Sequence, residues 1–336
     1  MVNQVVQDAW SSFCGVRVLI TGGLGFIGSS LARRLLDLGA RITLVDSLIP
    51  QYGGCLFNIH GIEDRVHVNI ADVRDPYAMA YLVKNADFLF NLAGQTSHLD
   101  SMHDPKTDLD INAAAQLSIL EACRHNNPEV RVVFASTRQI YGRPEYFPVD
   151  ERHPIRPVDV NGINKLAGEW YHLLYHEVYG IRTCALRLTN TYGPRMRVKD
   201  ARQTFLGVWI RNTVQGVEFD VYGDGRQLRD FNYIDDVVEA LVSVAVTPAA
   251  QGTVYNLGSR KCYSLVDLAR IITEIQPEAR YRLVPFPADR KAIDIGDYYS
   301  DFGRINASIG WEPSVDLGDG LVRTLDYYRQ HISEYI

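Results

Sequence analysis

Between Val16 and Leu38 the chain runs from a short apolar segment through Thr21-Gly22-Gly23-Leu24-Gly25-Phe26-Ile27-Gly28 into a stretch of helical spacing closed by Gly39. Strand, glycine loop and helix in immediate succession leave few folds open. Glycine at 22, 25 and 28 permits the tight turn and lets backbone N–H groups approach a pyrophosphate at the positive end of the helix. Such a glycine pattern is common by itself, and its place between a strand and a helix is what gives it weight. Asp46 ends the next apolar strand, eighteen residues beyond Gly28. A carboxylate there accepts hydrogen bonds from ribose hydroxyls and repels a 2′-phosphate, so the expected cofactor is NAD rather than NADP.

Further apolar runs, at Val66 to Ile70, Phe88 to Leu92, Val130 to Ala135 and Thr183 to Leu188, read as buried strands. Helical patterns at Pro76 to Lys84, Asp108 to His125 and Asn164 to Tyr179 separate most of them. This alternation predicts an α/β fold, a doubly wound parallel sheet of the Rossmann type with helices on both faces. After Asn190 the chain turns to loops rich in Arg, Gly and Tyr, with helical stretches near Gln203 to Gln215, Asp235 to Val246 and Ser264 to Thr273. The division expected is a mainly NAD-binding domain over 1–190 and a smaller α/β substrate-binding lobe over 191–336, with some chain crossing between them and a ligand cleft where they meet. Residues 1–15 read as a short leader.

A formal net charge of −6 over 336 residues disfavours a surface for nucleic acid or anionic membrane, which would need concentrated basic groups. No apolar run approaches the length of a membrane span. The five cysteines (14, 55, 123, 184, 262) are scattered and lack paired spacing, which fits reduced thiols in a cytoplasm. His98, His103 and His125 have no coherent carboxylate or cysteine pattern around them, so no metal is expected.

Five further segments fall in order along the chain: Asn91-Leu92-Ala93-Gly94-Gln95; Ala135-Ser136-Thr137 followed by Ile140-Tyr141-Gly142; Lys165; Arg187 to Pro194; and Arg229 to Asp236. Together they resemble the extended short-chain dehydrogenases that act on nucleotide sugars. The resemblance implies oxidation of a sugar hydroxyl with bound NAD, followed by epimerisation, dehydration or decarboxylation. It places Thr137 on the reacting oxygen, Lys165 on the nicotinamide ribose, and Asn112 in the same proton network. Asn190 and Arg229 are placed on the sugar diphosphate. Cofactor contacts are expected from Gly22, Gly25, Phe26, Ile27, Gly28, Asp46, Ser47, Asp72, Val73, Leu92, Ala93, Asn112 and Lys165, and substrate contacts from Gln95, Arg138, Gln139, Asn190 and Arg229. The helical segments from Asp108 and from Asn164 resemble the pair through which relatives form a homodimer as a four-helix bundle.

The resemblance breaks where the chemistry would be. Asn161 stands where the family pattern carries a catalytic Tyr, and a carboxamide hydrogen-bonds without titrating. Asp159-Val160 replaces a frequent Ser-Pro pair, and Arg138-Gln139 replaces the Asp-Glu of the 4,6-dehydratases, which disfavours their usual mechanism. With Thr137, Asn161 and Lys165 as the catalytic set, the base is expected in Lys165, in His98, or in a water held by Asn161. The leading expectation is an NAD-dependent nucleotide-sugar epimerase acting through a transient keto sugar, with a UDP-hexose as default substrate. The alternatives are a silent protein that binds NAD and a sugar nucleotide, and a nucleotide-keto-sugar reductase.

Overall fold

A computed structural model describes residues 10–52 and 54–336. The leader expected over 1–15 lies outside the described residues as far as residue 9; Trp10–Phe13 is a single 3₁₀ turn with Phe13 buried. The strands are β1 (Arg17–Thr21), β2 (Arg41–Asp46), β3 (Val66–Ile70), β4 (Phe88–Asn91), β5 (Arg131–Thr137), β6 (Arg182–Leu188), β7 (Asn190–Tyr192), β8 (Phe219–Tyr222), β9 (Leu228–Tyr233), β10 (Thr253–Asn256), β11 (Cys262–Ser264) and β12 (Tyr281–Val284). Seven of them form one parallel sheet in the order β10-β6-β5-β4-β1-β2-β3.

Alternation along the strands explains why helices cover both faces. On one face Val18, Ile20, Ile42, Leu44, Phe88 and Phe90 pack with Leu31 and Leu35 of helix Phe26–Asp37 and with Val237 and Leu241 of helix Ile234–Val246. On the other, Leu19, Val45, Leu89 and Val132 pack with Met79, Ile119, Leu120 and Cys123. Each fully buried Leu, Ile or Val contributes roughly 1.5–3 kcal/mol relative to exposure.

Outside the large sheet, the region from Asn190 onward holds a three-stranded sheet, β11-β9-β7, and a parallel pair, β12-β8. The first apolar cluster continues into it through Trp209, Phe219, Phe231 and Tyr328. From that region β10 returns to become the edge of the large sheet beside β6. A buried network ties that edge down. Arg187 binds Glu169 through Nε–Oε2 at 3.0 Å and Nη2–Oε1 at 2.5 Å, and Ser136 Oγ donates to Glu169 Oε2 at 2.6 Å. Arg187 Nη1 also donates to Tyr141 Oη, which donates to Asn256 Oδ1 at 2.7 Å.

The helix expected from Asp108 to His125 is not one regular helix. Pro105–Leu109 passes through a π-turn at Asp110–Ala114 before Ala115–Asn126 resumes the α-helix. Periodicity alone cannot register the one extra residue of such a turn. No helix among the described residues is long and apolar enough to cross a membrane.

Candidate active site

Helix Phe26–Asp37 starts at Gly25 with no side-chain cap and no acidic residue in its first turn. Its first N–H groups therefore remain available to an anion. The helix can begin so close to β1 only because residue 28 has no side chain, since a Cβ there would lie 2.2 Å from the Gly22 carbonyl oxygen. Thr21 locks the neighbouring strand end: its Oγ1 accepts from Leu92 N and Ala93 N, each at 3.1 Å, and donates to Asn91 Oδ1 at 2.9 Å.

One cavity is lined by Gly22, Gly25, Phe26, Ile27, Gly28, Asp46, Ser47, Asp72, Val73, Leu92 and Ala93, which brings together eleven of the thirteen cofactor residues expected from the sequence. It also takes in Ile49, Tyr52, Gly54, Thr96 and Gln203, which carry no recognisable motif. Asp46 accepts from Leu24 N at 3.1 Å and Leu48 N at 2.9 Å; burial raises its pKa, and these two bonds oppose the rise. Asp72 is held by Arg74 in a bidentate pair, Nε–Oδ1 at 3.0 Å and Nη2–Oδ2 at 2.6 Å, which leaves Val73 as the apolar wall beside it.

Asn112 and Lys165 line neither this cavity nor the next, and meet behind Gly94. A Cβ at residue 94 would lie 2.9 Å from Asn112 Oδ1 and 3.1 Å from Lys165 Nζ, so glycine is what lets the two side chains approach the cavity wall. Lys165 Nζ donates to the Ala135 carbonyl at 2.8 Å and lies 4.8 Å from the Phe134 ring centre. Burial brings its pKa down to about 8, against a weaker opposing pull from Asp108.

Asp108 is fully buried and accepts from three asparagines: Asn112 Nδ2 at 3.0 Å, Asn161 Nδ2 at 3.0 Å and Asn164 Nδ2 at 2.8 Å. Asn112 and Asn161 also share the Gln95 carbonyl, at 2.9 and 2.8 Å. Both amide hydrogens of Asn161 are thus committed to fixed acceptors. The π-turn places Asn112 in this cluster, where Gln116 Nε2 takes up the Ile111 carbonyl.

A second cleft, of about 580 Å³, is lined by Arg138, Gln139, Asn190 and Arg229, four of the five expected substrate residues. Gln95 is not among them: its amide Nε2 bonds Ser97 O at 2.9 Å and its carbonyl takes Ser97 N, so it shapes the turn below. Gln203 lines both cavities. Arg138 Nη2 donates to Asn190 Oδ1 at 3.1 Å, and burial lowers its pKa. Arg229 is brought down to about 10 by burial and by Arg138; its Nη2 lies 3.3 Å from Asp294 Oδ1 and its Nη1 donates to Leu228 O and Gly296 O. Thr137 Oγ1 accepts from Gln139 N at 3.2 Å.

Sequence reasoning named Asp159 only as a departure from pattern, yet it is a junction. Its buried carboxylate accepts from Gln139 Nε2 at 2.7 Å and Gly162 N at 2.7 Å, and His98 Nδ1 lies 3.0 Å away. Burial alone would raise the Asp159 pKa; His98, the Gly162 N–H and Gln139 outweigh it and hold the carboxyl below its usual range. Nothing in the spacing of residues 98 and 159 signals this meeting.

A dinucleotide cradle beside a second, arginine-bearing cleft defines an NAD-linked enzyme fold. The comparisons agree: the profile of the NAD dependent epimerase/dehydratase family matches residues 18–258. The UDP-glucose 4-epimerase of Mycolicibacterium smegmatis is 30% identical over 322 residues, spanning 94% of this chain and 99% of that protein. UDP-glucuronic acid decarboxylase 1 of Xenopus tropicalis is 30% identical over 321 residues, spanning 94% of this chain and 73% of that protein. The crystal structure of the Thermus thermophilus UDP-glucose 4-epimerase in complex with NAD superposes with a TM-score of 0.83 at 28% identity, covering 94% of this chain and 99% of the other. This chain belongs to the NAD-dependent epimerase/dehydratase family, is an enzyme of the nucleotide-sugar epimerase and dehydratase group, and takes NAD as its cofactor.

Proposed function

We propose that the protein epimerises a nucleotide sugar through a transient keto sugar, with a UDP-hexose as default substrate. The observation that carries this reading is that the two cavities are neighbours, with Gln203 lining both. In this reading a sugar seated near Arg138 and Gln139 meets the nicotinamide end of a dinucleotide that runs from the glycine loop. NAD supplies the removal and return of hydride. The glycine loop and the uncapped helix start hold its pyrophosphate, Asp46 and Ser47 its adenosine ribose, and Val73 its adenine. Leu92 and Ala93 border its path to the nicotinamide, and Lys165 with Asn112 support the nicotinamide ribose from behind Gly94. Thr137 holds the reacting oxygen.

In the second cleft Asn190 and Arg229 take the diphosphate, with Arg290 lining the same cleft as a further positive charge. Gln139, tied to Asp159, and Arg138, tied to Asn190, fix the sugar end. Asn161 braces Asp108 and the Gln95 carbonyl and moves no proton. The two-lobe division near residue 190 follows from the same reading.

The enzyme works in the cytoplasm as a homodimer. On helix Val160–Tyr179, Ile163, Trp170, Leu174 and Val178 are exposed along one side, and Leu109 and Leu117 are exposed on the neighbouring helical segments. Two helices with outward apolar residues meet a second copy as a four-helix bundle. Incubation in deuterated water with UDP-, GDP-, CDP- and dTDP-sugars, followed by NMR, tests the reaction. A new diastereomer is expected from a UDP-hexose. Tight binding of these sugars with neither product nor keto intermediate would instead establish the silent binding protein, a reading favoured by the commitment of both Asn161 amide hydrogens.

A further inference from the structure

An alcohol oxidised at neutral pH needs a group to receive its proton, and few groups in the second cleft are free to do so. Its carboxylates are engaged by arginine: Asp100 and Asp200 each lie 2.8 Å from Arg202, Asp220 and Glu218 lie 2.7 and 3.5 Å from Arg282, and Asp294 pairs with Arg229 at 3.3 Å. Lys165 is bonded to the Ala135 carbonyl and lines neither cavity. Tyr222 belongs to the small two-stranded sheet, its ring against Phe286.

His98 differs from all of these. It lines the cleft beside Arg138, Gln139 and Asn190, with 37% of its side chain exposed. Its Nδ1 is out of reach of solvent and 3.0 Å from Asp159 Oδ2, although the approach is bent away from the line of a good hydrogen bond. With Nδ1 turned to the buried carboxylate, the exposed edge of the ring carries Nε2. Asp159 is in turn fixed by Gln139 and by Gly162 N at the start of helix Val160–Tyr179. A titratable ring on the cleft, oriented by a buried carboxylate that is itself held by two donors, is the arrangement by which an imidazole is kept in one tautomer with its second nitrogen free.

We propose that His98 is the proton-transfer residue of this enzyme and that Asp159 is its positioning residue. The inference rests on the reading of the second cleft as the site of a nucleotide sugar. In the forward half the O–H bond of a sugar hydroxyl breaks and its proton passes to His98 Nε2. The C–H bonding pair leaves as hydride to the nicotinamide, and the carbon–oxygen double bond forms. In the reverse half hydride returns to carbon and His98 gives the proton back to oxygen, so the cycle has no net redox change. The charged group that faces the ring is Asp159; Asp100 on its own helix, Arg202 paired to Asp100, and Arg138 line the same cleft.

The test uses the full chain with histidine ¹⁵N labelling and UDP-glucose, UDP-galactose, UDP-N-acetylglucosamine, UDP-glucuronate and dTDP-glucose as probes. The signals missing from His98→Gln identify the ring. The Nε2 signal is expected to move when a probe that binds by calorimetry is added. For whichever probe turns over, His98→Gln lowers kcat about 10²- to 10⁴-fold with KM within a few-fold. His98→Ala regains part of that rate with free imidazole, which a misfolded variant would not do. Asp159→Asn lowers kcat with KM within a few-fold and spreads the His98 ring signals between two tautomers, because the ring loses the carboxylate that orients it. A probe that binds without moving the His98 signal, or a His98→Gln enzyme with near-normal kcat, overturns the proposal and leaves the function standing. If no probe binds, the functional reading itself fails and the proton-transfer role fails with it.

Discussion

Asn161 shows how one side chain can be legible in identity and illegible in role. From the sequence it is a missing phenol; in the folded chain its amide satisfies Asp108 and the Gln95 carbonyl. Asn161→Ala removes a donor from each of two buried acceptors and should cost about 1–3 kcal/mol of stability, read by urea denaturation. An unchanged midpoint would mean that water replaces the amide. Lys165 behaves in the opposite sense. Its folded pKa of about 8 lies below the ordinary value of 10.5 because burial disfavours the charge. The unfolded chain therefore binds the extra proton between those values, and stability rises as pH climbs through that window. Below pH 8 the penalty is on the order of 3 kcal/mol, partly offset by the bond to Ala135. Lys165→Met should accordingly melt higher than the parent at pH 7, with the gain shrinking toward pH 10, while its NAD affinity falls. A lower melting temperature at pH 7 would contradict the buried-charge account.

At the scale of elements, the glycine loop, β2 and the strand ends were readable because each depends on local chemistry: a turn, a helix start, an acidic strand terminus. β10 was not, since Thr253–Asn256 has no periodicity of its own and is a strand only because β6 offers an edge. The π-turn at Asp110–Ala114 was hidden for a related reason, since Asn112 in it and Gln116 beside it bond to Gln95 O and Asn91 Nδ2 from distant parts of the chain. The network joining the long helix, β6 and the end of β10 carries a sharp prediction. Glu169→Gln leaves the Arg187 guanidinium buried without its counter-charge and should destabilise the protein by about 3–5 kcal/mol. Thermal and urea unfolding would measure it, and a loss below about 1 kcal/mol would mean that Tyr141 and solvent suffice. The exposed apolar side of Val160–Tyr179 makes a separate prediction: the parent should sediment as the proposed homodimer at micromolar concentration and Trp170→Glu as a monomer, and a monomeric parent or a variant that stays dimeric would contradict this interface.

For the molecule as a whole, the sequence led to a parallel sheet, a nucleotide end and a ligand cleft, because those follow from patterns repeated along the chain. It did not lead to Asp159 meeting His98 from sixty-one residues away, or to one apolar cluster that runs from the large sheet to Trp209 and Phe231, since such meetings are set by packing. Gln95 was expected on substrate and instead shapes the turn at Ser97. What unites the two cavities into one site is the claim that hydride leaves a bound sugar and returns to it. Rapid mixing of the NAD-loaded protein with UDP-glucose or UDP-galactose, following the near-ultraviolet band of reduced nicotinamide while the sugar is analysed by NMR, tests this directly. The account predicts that the band appears and decays as the other diastereomer accumulates. A sugar nucleotide that binds tightly, with no band and no new sugar, would contradict it.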